Sequence, residues 1–203
     1  MALPRSPAPP VDVRLLTIAA QQLRAHGAKA VTVVGVAELA GMTHANVYRY
    51  FPSKAALIDA IAGRWLKSLE AAAAEIADAP DPADDKLERL IQALAGAQRQ
   101  LLAENRHLFD VYCDATETSR ALVRKHRARL RQLIERVVDE GIATAKFDPR
   151  DRERALGFIS DAAFRFINPL AVRLDAEVPQ DILDQRLAAV VRVVLRALAN
   201  GSV

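Results

Sequence analysis

The chain has 203 residues, 51% of them hydrophobic and 26% charged, with a formal net charge of +3. That length and apolar content exclude a wholly disordered polymer and leave room for a small domain beside a larger helical one. The single cysteine, Cys113, excludes an internal disulfide framework and fits a reducing cytosol. No apolar run approaches the roughly 18 residues that mark a membrane span, so a cytoplasmic protein without a membrane partner is expected.

Charge is unevenly distributed. Residues 1–67 hold eight Lys or Arg against three acids, net +5, while the remainder holds 20 against 22, net −2. A positive N-terminal third is what a phosphate-binding module requires.

The start, MALPRSPAPP, lacks the apolar core of a signal peptide, and residues 1–10 read as a disordered, proline-rich arm carrying Arg5. Val13, Leu16, Ile18, Ala19 and Leu23 then predict a first helix ending near His26 and Gly27.

The most informative stretch runs from Thr32 to Lys54, TVVGVAELAGMTHANVYRYFPSK. Val36, Ala37, Leu39 and Ala40 give a short helix over 34–40 an apolar face, with Thr32 as its N-cap. Gly41 follows where a chain leaving a helix most often needs a positive φ, which a residue without Cβ adopts freely. Thr43 offers a second N-cap. Val47 and Phe51, four apart, fix the buried face of a helix over 44–50, which Pro52 ends. With those two inward, His44, Asn46, Arg49 and Tyr50 cannot all be buried, and they form a set of groups suited to base edges and phosphates. The pattern is that of a helix-turn-helix whose second helix enters a DNA major groove. A plain helical hairpin with a solvated polar face is the alternative.

Helices continue to the end of the chain, and no strand is predicted. A long helix over 53–77 carries Trp65, Leu66 and Leu69 away from the motif, and Pro80 and Pro82 break the ADAPDPADD stretch at 77–85 into a loop. Leu87, Leu90, Ile91, Leu94 and Leu101 mark a helix ending near Asn105; Leu108, Phe109, Val111 and Tyr112 mark a short one. Over 119–141, Val123, Leu130, Ile134, Val137 and Val138 trace an apolar stripe, while Arg120, Arg124, Lys125, Arg127, Arg129 and Arg131 read as a solvated basic face. Leu156, Ile159, Ala163, Phe166 and Leu170 trace a helix ending near Arg173, beyond a kink or stop at Pro169. Leu183, Leu187, Val190, Val191, Val194 and Leu198 trace the last. Stripes this continuous must be buried, against a second copy or inside the chain itself.

The 32–54 segment resembles the DNA-binding signature of the TetR family of bacterial transcriptional regulators, through Thr32, Ala40–Gly41, Thr43, Tyr48, Phe51 and Lys54, followed by Ala56, Leu57, Ile58 and Ile61. The resemblance implies an all-α fold: a helix-turn-helix domain over 11–52, a connecting helix over 53–77, and an effector-binding and dimerisation domain over 78–203. It implies that Thr43, Tyr48 and Lys54 touch phosphates, and that His44, Ala45, Asn46, Arg49 and Tyr50 face bases or the adjacent backbone. Ala45 stands where many members have Gly, and Val34 and Gly35 stand where many have a polar or basic residue. Base reading therefore falls on His44, Asn46 and Arg49. It implies an effector cavity among the middle helices, for which Trp65, Leu94, Phe109, Tyr112, Cys113, Phe158, Asp161, Phe164, Arg165 and Asn168 are the candidates, Asp161 and Arg165 also being spaced to pair with each other. The C-terminal helices would form a homodimer interface through Leu156, Ile159, Phe166, Leu183, Leu187, Val190, Val191, Val194 and Leu198.

The expected function is a ligand-responsive dimeric repressor of a palindromic operator on double-stranded DNA. An activator or a non-specific architectural DNA binder is the alternative. Catalysis would need Cys113 with His107 or His126 and an orienting Asp114 or Glu117, but their spacing makes no triad. There is no glycine-rich phosphate loop, and four scattered histidines make no metal pattern. No cofactor is expected.

Overall fold

A computed structural model describes residues 9–203, so most of the proline-rich arm, with Arg5, lies outside the described residues. The described residues are helical with no strand, and the chain divides between Arg64 and Trp65 into two compact units.

The first unit contains α1 (Val11–His26), α2 (Val33–Ala40), α3 (His44–Tyr48) and the start of α4 (Lys54–Ala77). On α1 the buried face is Leu15, Ala19 and Leu23, spaced by four, while Val13 is exposed and Leu16 and Ile18 are half-buried. On α2 the buried residues are Val33, Val36 and Ala37, and Leu39 lies 65% exposed, so the expected face is rotated. Three hydrogen bonds brace the unit. Arg14 donates to the carbonyl of Ala40 at 3.0 Å, Lys54 to that of Lys29 at 2.8 Å, and Arg64 to the Thr17 hydroxyl at 3.2 Å.

The second unit is built around α5 (Ala83–Glu104), whose Leu87, Leu90, Ile91, Leu94 and Ala95 are all buried. Against it pack α6 (Arg106–Glu117), α7 (Ala121–Ala143), α8 (Arg152–Ile167), α9 (Pro169–Leu174) and α10 (Gln180–Ala199). Lys86, 3% exposed, joins three segments: it donates to Glu140 at 2.6 Å and to the carbonyls of Ala79 and Ala77 at 3.1 and 3.4 Å. The Ala77 carbonyl is at the end of α4, where a helix leaves acceptors without intrahelical partners, and that of Ala79 is in the turn after it.

The stretch Arg152–Leu174 is long and apolar enough to cross a membrane by length and composition. It is two helices in a protein core. The chain leaves helical geometry at Asn168 (ψ 124), whose side chain caps α9, and Pro169 opens the new helix where its missing N–H costs nothing.

The expected dimer stripe needs correction. Leu156, Ile159, Phe166, Leu187, Val191, Val194 and Leu198 are buried within this one chain, joining the core that α8 and α10 share with α5; Val190 is half-buried against it, and Leu183 is buried beside the second cavity. Periodicity identified a buried face, and the chain's own helices cover it.

Candidate nucleic-acid interface and ligand cavity

Thr32 caps α2: its hydroxyl accepts from the N–H of Gly35 at 3.0 Å. Gly41 ends α2 in the left-handed region, at φ 65 and ψ 36, and its N–H bonds back to Glu38 O. That sharp reversal sets α3 as the second arm of the motif. Thr43 stands at the N-cap of α3 with extended backbone, but its side chain makes no capping bond among the described residues.

Val47, fully buried, and Phe51 anchor α3 to the unit. His44, Ala45, Tyr48, Arg49 and Tyr50 are exposed, and Asn46 is half-buried. The helix is shorter than expected. Val47 O accepts from both Tyr50 and Phe51 at 3.0 Å, so the chain tightens into a turn just before Pro52, and Arg49 and Tyr50 sit on that turn. Lys54 opens α4, where Ser53 supplies the cap to Ala56 N, and its ammonium already gives one of its three donors to Lys29 O. Together the exposed groups present two amphipathic aromatic hydroxyls, an imidazole and a guanidinium around a half-buried amide. This is a surface that can hydrogen-bond base edges and phosphates.

The second unit holds a cavity of about 350 Å³ between α5, α6, α7 and α8. Its wall is mostly apolar, from Ile91, Leu94, Leu130, Ile134, Ile159, Ala163, Phe164, Ile167 and Pro169, with Tyr112, His126, Arg127, Arg131, Ser160 and Asn168 as polar members. Of the expected effector residues it includes Leu94, Tyr112, Phe164 and Asn168. The others lie elsewhere. Phe109 and Cys113 are fully buried core, Trp65 meets Tyr112 at a tilt with ring centroids 5.4 Å apart, and Phe158 packs against the main core. Asp161 is exposed, and Arg165 pairs with Asp175 at 2.5 Å rather than with Asp161. Arg165 lines a second cavity of about 290 Å³, whose arginines are engaged with carboxylates: Arg99 with Asp184, Arg106 with Asp110.

His126 was missed as a cavity residue. It stands three residues after Val123 and four before Leu130, on the apolar stripe of α7, and is 2% exposed. Its Nδ1 lies 2.7 Å from Glu70 Oε1 on α4, and burial holds its pKa below 6.5 against the opposing pull of Glu70. Burial also pushes the Tyr112 phenol up to about 12 and the Cys113 thiol to about 11, the reverse of what activates a nucleophilic cysteine.

Residues 15–61 match the family described as bacterial regulatory proteins, tetR family, and residues 83–191 match tetracyclin repressor-like, C-terminal domain. No curated protein sequence matches the chain. Solved structures share its fold. A TetR/AcrR-family transcriptional regulator from Thermobifida fusca YX-ER1 is 21% identical, with a TM-score of 0.63 over 94% of this chain and 97% of that one. A protein of unknown function from Rhodococcus sp. RHA1 is 22% identical, with a TM-score of 0.67 over 96% and 98%. A putative TetR-family regulator from Mesorhizobium loti MAFF303099 is 16% identical, with a TM-score of 0.66 over 92% and 95%. The two family matches cover both units of the molecule, and the chain belongs to the TetR family of DNA-binding transcriptional regulators.

Proposed function

We propose that the protein is a ligand-responsive homodimeric repressor, released from a palindromic operator by a small molecule. The observation that carries the reading is α3, where Val47 is buried and His44, Arg49 and Tyr48 face solvent beside Asn46. An inward anchor with outward donors is how a recognition helix is held for the major groove. Asn46 pairs with adenine and Arg49 with guanine in this reading, while Thr43, Tyr48 and Lys54 contact phosphates.

One short helix binds feebly, so two copies are required, with recognition helices about one DNA turn apart. The surface for the second copy is the outer face of α10, where Ile182, Ala189 and Val193 line up with Arg186 at spacings of three and four. Val193 is 59% exposed, and Leu174 and Phe164 add exposed apolar area on neighbouring helices. Such a face is better covered than solvated.

The 350 Å³ cavity is the effector site. Its lining residue His126 bonds Glu70 on α4, and α4 runs from the first unit into the second. Effector binding that shifts α4 lowers operator affinity by a coupling free energy of about 1–3 kcal/mol, and operator lowers effector affinity by the same factor.

Selection of bound duplexes from a random pool tests the proposal. A palindrome with half-sites about 10 base pairs apart is expected. A non-palindromic site, or no enriched sequence, would overturn it.

A further inference from the structure

His126, which lines the effector cavity, carries a buried polar atom that no described residue satisfies. His126 Nε2 is inaccessible and finds no hydrogen-bond partner among the described residues, while Nδ1 of the same ring is held at 2.7 Å by Glu70. The Tyr112 ring meets the imidazole edge-on at 6.2 Å. A carboxylate only accepts hydrogen bonds, so Glu70 fixes the imidazole proton on Nδ1 and leaves a lone pair on Nε2. Most of the cavity wall is hydrocarbon, including Leu94, Leu130 and Ile159, with Arg127, Arg131, Ser160 and Asn168 among its polar members. The volume, about 350 Å³, is far beyond a packing void.

We infer that the effector is a largely apolar molecule with a hydroxyl group whose O–H donates to His126 Nε2. This rests on the reading of the cavity as the effector site and names the chemistry it selects. A hydroxyl satisfies the buried acceptor and leaves the rest of the molecule against hydrocarbon. A site that accepts from a hydroxyl rejects the analogue lacking the hydrogen.

A matched pair of probes tests this: 1-decanol and its methyl ether, 1-methoxydecane, titrated into the full-length protein. The readout is fluorescence of Trp65, the single tryptophan, whose ring lies 5.4 Å from that of the cavity residue Tyr112. The alcohol is expected to bind at least about tenfold more tightly than the ether, and His126→Phe to bring the two within about twofold. Nitrogen NMR of the wild-type protein, which needs no variant to fold, should show the His126 proton on Nδ1 and a shift of Nε2 when 1-decanol is added. Binding of both probes with equal affinity, discrimination that survives in folded His126→Phe, or a proton found on Nε2 would overturn the hydroxyl assignment and leave the cavity reading standing. Failure of both probes to bind would overturn the effector reading of the cavity itself.

Discussion

Glu70 and His126 join α4 to α7 through a 2.7 Å contact between Oε1 and Nδ1, in a place where the imidazole is almost wholly removed from solvent. Burial is the larger influence and lowers the His126 pKa; Glu70 raises it, Arg127 lowers it further, and Tyr112 meets the ring edge-on. The unfolded chain takes up a proton here near pH 6.5 and the folded protein does so only at lower pH, so the unfolded state binds more protons in between. Stability from this group is therefore complete above about pH 6.5 and lost as pH falls below it. Thermal unfolding by circular dichroism should show the melting temperature falling from about pH 7.5 to about pH 5.5, with a shallower fall in His126→Phe. Parallel slopes for the two proteins would remove His126 as the cause.

Gly141 lies on α7 where a Cβ would fall 2.1 Å from Phe147 Cδ2, and Phe147 is itself 2% exposed. Gly141→Ala should cost about 1–3 kcal/mol in denaturant unfolding, even though alanine favours the helix. Adding Phe147→Leu should cost less in that background than in the wild type, because the ring that clashes is gone.

At Gly41 the cause is different. A Cβ there meets no atom within 4 Å, so only the left-handed backbone resists substitution. Gly41→Ala should destabilise by about 1–2 kcal/mol, and Gly41→Asn by less, since asparagine tolerates that region. Equal losses would point to a contact rather than to φ.

Cys113 should be inert in the native protein. Its thiol is fully buried and pushed up to about 11, so a chromogenic disulfide reagent is expected to leave it unmodified until denaturant releases one equivalent. Rapid native labelling would show that α6 opens.

Helix positions were largely legible, because Gly41, Pro52, Pro82 and Pro169 punctuate the chain and Leu and Val recur at helical spacing between them. Which face is buried was less so: Val13 and Leu39 fit a helical stripe but point to solvent, since small helices contain more apolar residues than they can bury. The stripes on α8 and α10 show the limit of periodicity, which registers burial without naming the covering surface. Phe109 and Cys113 share α6 with Tyr112 but are wholly buried and do not line the cavity, a difference that helical spacing alone does not reveal. His126 was hidden among Arg124, Lys125, Arg127 and Arg129, although its place between Val123 and Leu130 put it on the inward side.

The central claim is that the outward face of α3 discriminates bases. The direct test is binding of wild-type protein and Arg49→Ala to the selected operator and to a random duplex at one moderate salt concentration. The account predicts an operator affinity lower by about 1–3 kcal/mol in the variant, with little change on random DNA. Equal weakening on both duplexes, or none on either, would contradict it.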